Sequence, residues 1–227
     1  MSGSGGKPAQ LTFDLAHQPG LTRDDLAVSA ANRRAVEEIE RWPRWPAPIL
    51  ALVGPEGSGK SHLAGLWRDA ARALSLDPRR LGGLEAEIAR PVLVDGADTP
   101  DLDEAGLFHL INALRAGGGS LLLVARTSPA AWNVSLADLR SRLATAAVVP
   151  IGEPDDLLLE KVLAKLFADR QVEVEPATLQ FLARRMNRSL AEAARVADAL
   201  DRVSIARKRP ITRALAGEVL ESLKTSR

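Results

Sequence analysis

The residues of this sequence that are best suited to chemistry form one glycine-rich segment, Gly54–Ser61. Its spacing is G-x-x-x-x-G-K-S, ending in Gly59, Lys60 and Ser61. Glycines let successive backbone N–H groups turn toward phosphate oxygens, and a side chain at Gly57 or Gly59 would obstruct that approach. In such a loop the lysine reaches the β- and γ-phosphates and the hydroxyl binds Mg²⁺. The predicted nucleotide site comprises Gly54, Pro55, Glu56, Gly57, Ser58, Gly59, Lys60, Ser61 and His62.

The segments on both sides of this loop are those that a phosphate loop requires. The apolar run Ile49–Val53 predicts a buried strand before it, and the residues from His62 onward predict a helix after it. The N-terminus of that helix would face the anion. This context disfavours the alternative, an accidental glycine-rich turn.

A second strand, 91–95, ends in Asp95, which we expect to orient Mg²⁺ from a neighbouring strand. The alternative is an ordinary turn aspartate, since Gly96 follows. Hydrolases of this kind usually carry a second acid at the position of Gly96 to align the attacking water. Asp98 is the nearest acid, so we expect slow intrinsic hydrolysis.

The remaining periodicity predicts a parallel α/β sheet with flanking helices, followed by a small all-helical lid. We expect a helix capped by Ser29, few strand residues in 75–90, a helix over 104–116, a strand over 120–125, a short helix over 135–143 and a last strand over 146–150. The four lid helices are predicted at 154–170, 176–186, 189–206 and 212–223. The predicted domains are a flexible tail (1–20), an α/β base (21–152) and the lid (153–227).

Composition limits the function classes. With 30 Lys and Arg against 29 Asp and Glu in 227 residues, the overall charge does not favour a sequence-independent grip on nucleic acid, so any DNA role would need a local patch. No apolar run reaches the length of a membrane span and no signal pattern begins the chain, which favours a cytoplasmic protein. The chain has no cysteine, and its three histidines are scattered, which disfavours a histidine metal cluster.

Several residues leave two interpretations open. The alternating segment Gln10–Leu15 fits either an extended peptide that docks on a partner or an edge strand. Trp42 and Trp45 are expected to pack, with an adenine pocket as the alternative. Arg142 has the permanently charged fork that suits a developing phosphoryl charge, although its pattern alone favours a surface ion pair. The basic turn 207–210 is expected to be solvated.

The order of these segments resembles the AAA+ module of the bacterial initiator DnaA group, including D-L-R-S-R-L at 138–143 and F-L-A-R-R-M at 181–186. The tail segment resembles the motif Q-L-x-[LF]-x-L that binds the sliding clamp. A clamp motif before the module and no DNA-binding domain after it resemble the Hda family of negative regulators of chromosomal replication initiation.

That resemblance implies binding of Gln10, Leu11, Phe13 and Leu15 to the clamp, the beta subunit of DNA polymerase III. It also implies that Arg142 is an arginine finger acting in trans on ATP bound to DnaA. The expected ligands are ADP or ATP with Mg²⁺, the latter held by Ser61 and Asp95. The expected partners are the clamp and DnaA, with a homodimer possible, no membrane, and DNA contacted only through the clamp.

The sequence also departs from the family pattern. The lid arginine that senses phosphates aligns with Ala191, which leaves Arg188 or Arg195 as substitutes, and Arg126 replaces a typical aspartate just beyond a strand where γ-phosphate sensors lie. These changes imply a weak ATPase whose activity is exerted in DnaA. The main alternative is a self-sufficient replication-associated AAA+ ATPase or loader. An initiator-like DNA-binding protein is disfavoured by the charge balance.

Overall fold

The computed structural model describes residues 26–83 and 90–225. The predicted clamp-binding segment Gln10–Leu15 lies outside these residues. Within them the chain forms an α/β base and four C-terminal helices, which we call the lid.

The base is built on a parallel five-stranded sheet. Its strands are β1 (Ile49–Val53), β2 (Leu74–Leu76), β3 (Val92–Asp95), β4 (Leu121–Ala125) and β5 (Ala147–Pro150), in the order β2-β3-β4-β1-β5. In register, Val53 of β1 lies opposite Ala125 of β4 and Pro150 of β5. All residues of β1 and β4 are buried, which accounts for their continuous apolar runs.

Two details of the sheet differ from the sequence predictions. Residues 75–90 were expected to contain few strand residues, but the first two of them belong to β2. This is a three-residue edge strand paired with β3. Asp95 does end β3, but β3 is not next to β1, because β4 lies between them. Alternating helices and strands predict a parallel sheet without fixing which strands are neighbours.

Four helices flank the sheet: α1 (Arg33–Glu40), α2 (Lys60–Ala71), α3 (Glu104–Gly117) and α4 (Ala137–Leu143). The prediction that Ser29 caps α1 is wrong, since the helix begins at Arg33 with Asn32 in the cap position. The Asn32 side chain instead accepts a hydrogen bond from the Ser29 N–H (2.9 Å) and donates one to the Ala27 carbonyl (2.9 Å). Asn32 thus fixes the segment before the helix.

The lid contains α5 (Asp156–Asp169), α6 (Pro176–Ala183), α7 (Leu190–Arg207) and α8 (Arg213–Thr225). Its apolar side chains form one cluster around the fully buried Phe167, while two further clusters fill the two sides of the sheet. The four predicted lid helices are therefore confirmed, with ends shifted by a few residues. No helix in residues 26–83 and 90–225 has the length and apolarity needed to cross a membrane.

Candidate functional site

The glycine-rich loop joins β1 to α2, as its sequence predicts. Gly57 and Gly59 have φ angles of 75° and 92°, in the left-handed region that favours glycine. Space is also restricted at Gly57, where an added Cβ would lie 2.2 Å from the Ser189 hydroxyl. The loop conformation therefore depends on glycine, and its N–H groups precede the N-terminus of a twelve-residue helix.

Lys60 is held inside this loop and is only 8 % exposed. Its ammonium donates a hydrogen bond to the Pro55 carbonyl at 2.7 Å. Burial lowers the pKa of Lys60 below its ordinary value, and the negative charges of Asp95, Asp98 and Glu56 oppose that shift. A phosphate group would supply a negative charge where a partly desolvated cation needs one.

Ser58 gives a second sign that the loop fits an anionic ligand. The residue is 1 % exposed, and its hydroxyl has no hydrogen-bond partner within residues 26–83 and 90–225. A buried hydroxyl without a partner is unfavourable, by roughly 1–3 kcal/mol. A bound ligand or its water shell would relieve that cost.

The carboxyl ends of β3 and β4 bring Asp95 and Arg126 to the edge of the same cleft. Asp95 is exposed there. Asp98 accepts a hydrogen bond from the Arg126 N–H at 2.9 Å and lies 3.6 Å from its guanidinium Nε. Asp98 therefore positions the turn that carries Arg126.

A cleft of about 910 Å³ extends from the phosphate loop to the lid. At one end it is lined by Leu26, Ala27, Asn32 and Ile151, and along the lid by Leu158, Val162, Lys165, Leu166, Asp169, Leu190, Ala191 and Ala194. The described part of the chain contains no group of three or more histidine or acidic side chains arranged to hold a metal. A Mg²⁺ ion would consequently need phosphate oxygens as ligands in addition to Ser61 and Asp95.

The lid contacts the phosphate loop directly. The Leu190 N–H, at the start of α7, donates a hydrogen bond to the Gly57 carbonyl at 2.8 Å. An added Cβ at Gly59 would lie 2.8 Å from the Leu190 side chain. The loop and the first turn of α7 are therefore in direct contact, with no room for a side chain at Gly57 or Gly59.

Three lid positions were considered as sensors of the nucleotide phosphates, and only one of them lines the cleft. Ala191, which the family resemblance aligns with the phosphate-sensing arginine, lines the cleft. Arg188 is paired with Asp156 at 3.0 Å and Arg195 is paired with Glu192; neither is among the described residues that line the cleft. The prediction that one of them substitutes for the missing arginine is not supported by this geometry.

The lid residue that does bring a basic side chain to the cleft is Lys165. It lies on the face of α5 that also carries Leu158 and Val162, and its ammonium is 3.4 Å from the Asp169 carboxylate. The sequence analysis missed it. The signal was helical spacing, since 158, 162, 165, 166 and 169 repeat every three or four residues.

The tryptophans pack, and they do so away from the cleft. Trp45 stacks on Trp67 with ring centroids 5.1 Å apart, and Trp42 meets Trp67 edge to face at 6.2 Å. The indole N–H of Trp42 donates to the Ser120 hydroxyl, and that of Trp45 donates to the Glu38 carbonyl. Neither Trp42 nor Trp45 is among the described cleft-lining residues, so the adenine-pocket alternative is wrong.

Arg142 lies on α4, half-buried, and not among the described residues that line the cleft. Its side chain has no hydrogen bond or ion pair within residues 26–83 and 90–225, so the surface ion pair favoured by its pattern does not form there. Arg140, two residues earlier, donates to the Val134 carbonyl at 2.7 Å. The two arginines of this helix therefore differ in whether their guanidinium groups are engaged.

Comparison with known proteins adds independent findings. Residues 159–220 match the family model described as "Hda, lid domain". The lid of this chain is therefore similar to the lid domain of the Hda family. This match covers four helices and the buried cluster around Phe167. An uncharacterized protein of Haemophilus influenzae is 28% identical over 182 residues, which is 73% of this chain and 78% of that protein.

Solved structures extend the likeness to the base that precedes this lid. Domain III of the Thermotoga maritima replication initiation protein DnaA superposes with a TM-score of 0.74 at 18% identity, covering 90% of this chain and 97% of that domain. A DnaA bound to AMPPCP and single-stranded DNA gives 0.69 at 15% identity, over 84% and 68% of the two chains. The Thermotoga maritima RuvB branch migration motor gives 0.69 at 18% identity, over 89% and 72%. The fold is that of AAA+ proteins.

Proposed function

We propose that this protein is a nucleotide-bound regulator of the Hda type, which acts on DnaA to restrain replication initiation. The observation that carries the proposal is the Hda-type lid joined to a DnaA-like AAA+ base. A DnaA-related regulator would combine these two parts, a lid like that of Hda and a base like that of DnaA. The division of the chain at residue 152 remains our interpretation.

The ligand of the cleft is proposed to be ADP or ATP with Mg²⁺. The left-handed glycines and the buried Lys60 support this assignment. Lys60 would exchange the Pro55 carbonyl for phosphate oxygens, Ser61 would hold the metal, and Asp95 would orient its water shell. Bound Mg²⁺ would neutralise phosphate charge, while Gly96 leaves the place of a second acid empty, so slow turnover is expected.

Arg142 is proposed to act in a neighbouring molecule rather than in its own cleft. Two observations support it: the guanidinium has no partner among the described residues, and it lies outside the cleft lining. An arginine supplied to another subunit's nucleotide stabilises charge on the transferring phosphoryl group. The target would be ATP bound to DnaA.

The segment Gln10–Leu15 is proposed to attach the protein to the sliding clamp. Its support is the sequence pattern alone, with Leu11, Phe13 and Leu15 filling a pocket and Gln10 bonding at the rim. Cytoplasmic location and a possible homodimer remain proposals of the same kind.

The deciding experiment measures hydrolysis of DnaA-bound ATP in the presence of DNA-loaded clamp. The protein should accelerate it, and Arg142→Ala should lower the acceleration by about a thousandfold, or to background, because an arginine finger contributes about 10³–10⁵. Arg142→Lys retains the charge without the fork and should also be strongly impaired. Arg34→Ala removes one exposed positive charge from α1 and serves as the matched control.

Clamp binding is tested in the same assay with Gln10→Ala, which should lose stimulation while nucleotide affinity is unchanged.

Full stimulation by Arg142→Ala would refute the arginine finger. Rapid ATP turnover by the protein alone, with no effect on DnaA, would establish instead a self-sufficient ATPase or loader.

A further inference from the structure

The segment of the lid from the turn after α6 to the start of α8 is rich in basic residues. Between residues 184 and 213 the sequence has nine Arg and Lys residues and three Asp and Glu residues. The chain as a whole carries a net charge of +1. The near-neutral total therefore conceals a local excess of positive charge on one part of the lid.

Arg185 in the turn after α6 and Arg213 at the start of α8 meet at one aromatic ring. The guanidinium Cζ of Arg185 lies 4.2 Å from the centroid of the Phe181 ring, and that of Arg213 lies 4.8 Å from it. The two distances together limit the separation of the Cζ atoms to at most 9.0 Å. Arg184, adjacent to Arg185, is also exposed.

These guanidinium groups lack carboxylate partners. The guanidinium groups of Arg184, Arg185 and Arg213 make no hydrogen bond or ion pair with the residues that the structure describes. By contrast, Arg207 is paired with Glu218 at 2.7 Å. Like charges held within such a distance repel one another, while cation–π contact with the ring holds each side chain in place. An external anion would remove the repulsion and use the free N–H edges.

We propose that Arg184, Arg185, Arg213 and Phe181, which we call the lid arginine surface, bind the phosphate backbone of double-stranded DNA independently of sequence. One DNA strand carries a phosphate about every 3.4 Å of helix axis, so a span of up to 9.0 Å corresponds to about two or three phosphates. The Phe181 ring already contacts two guanidinium groups, so it is not free to stack on bases as single-strand binding requires. Duplex DNA is therefore favoured over single strands, and an acidic protein is one of the outcomes of the test below.

This proposal rests on the lid arginine surface alone and does not depend on the nucleotide, the clamp or DnaA. It revises the expectation that DNA is contacted only through the clamp. A weak direct contact of this kind would orient the protein on a duplex without selecting a sequence.

The test is a titration of a short fluorescein-labelled DNA duplex with the whole protein, followed by fluorescence anisotropy at several salt concentrations. Arg185→Ala/Arg213→Ala should weaken binding about tenfold or more at low salt and reduce the slope of log K against log salt by about two. Arg41→Ala/Arg44→Ala removes the same charge from an exposed segment of the base and should leave the slope unchanged. Arg185→Lys/Arg213→Lys should keep the slope and lose part of the affinity.

Absence of duplex binding by the wild-type protein at low salt would overturn the proposal. So would equal slopes for the Arg185→Ala/Arg213→Ala variant and its control. A poly-glutamate peptide is titrated in parallel: binding as tight as to DNA would reject the duplex in favour of any polyanion, whereas much weaker binding would support the DNA assignment.

Discussion

The contact between the phosphate loop and the lid leads to a prediction about the single substitution Gly57→Ala. The new methyl group would occupy a left-handed backbone position, at a cost of about 1–2 kcal/mol. It would also lie 2.2 Å from the hydroxyl and 2.7 Å from the Cβ of Ser189, so α7 must move away. That movement breaks the bond from the Leu190 N–H to Gly57, worth about 1 kcal/mol. The expected loss in free energy of unfolding is about 2–4 kcal/mol.

The partner substitution Ser189→Gly separates backbone strain from the clash. It removes both atoms that the methyl group would strike, leaving the Ser189 Cα 3.1 Å away. Ser189 also caps α7 by accepting the Glu192 N–H at 3.3 Å, yet replacing a cap by glycine costs only a few tenths of a kcal/mol, roughly. Gly57→Ala should therefore destabilise the Ser189→Gly protein by about 1 kcal/mol less than it destabilises the wild type.

The assay is urea unfolding of nucleotide-free protein, followed by far-UV circular dichroism for the helices and by tryptophan fluorescence for the base. Gly65→Ala is the matched control, because Gly65 lies within α2 and an added Cβ meets nothing within 4 Å. That control should be neutral or stabilising by up to about 1 kcal/mol. Equal effects of Gly57→Ala in the two backgrounds would refute the idea that loop and lid are locked by direct contact.

Two further predictions concern single charged side chains of the base. Lys60→Met keeps the side-chain bulk but removes the charge, and should weaken ADP binding about 100-fold or more in calorimetric titrations. Asp103→Ala should destabilise the protein by about 1–2 kcal/mol, because Asp103 accepts hydrogen bonds from Gly106, Leu81 and Gly82. The bonds from Gly106 and Leu81 lower the pKa of Asp103 below 3.8. Its contribution is thus present above about pH 4 and is lost as the pH falls through the lowered pKa, so wild type and variant should converge in acid unfolding.

The sequence predicted best those elements whose apolar pattern is continuous. β1 and β4 are buried along their whole length, and the phosphate loop follows β1 as required. β2 was harder to predict because it is a three-residue edge strand, too short for a period to be seen. The order of the strands could not be predicted from the sequence. The position of Asp95 relative to Lys60 depends on that order, because it depends on which strands pair.

The charged residues of the site were predicted less well, for a physical reason. An arginine is available to a ligand only if no carboxylate of the same chain already pairs with it. That carboxylate is often distant in sequence. Arg188 is paired with Asp156, which precedes it by a whole helix pair. Lys165 lines the cleft, although the sequence predicted only a helix over 154–170 and not which of its faces meets the site. Side-chain pairing across elements is decided by tertiary structure.

Ala191, which the family resemblance aligns with a phosphate-sensing arginine, and the contact between Leu190 and Gly57 have a joint consequence for regulation. A sensor arginine couples the lid to the nucleotide by bonding to phosphates, so it distinguishes ATP from ADP. Here the described connection between α7 and the phosphate loop is a main-chain hydrogen bond at 2.8 Å, which does not involve the γ-phosphate. If the lid closes through the loop itself, ADP should stabilise it nearly as well as ATP. This argument favours a protein that uses its nucleotide to hold one conformation, and it agrees with a regulator whose chemistry takes place in its partner.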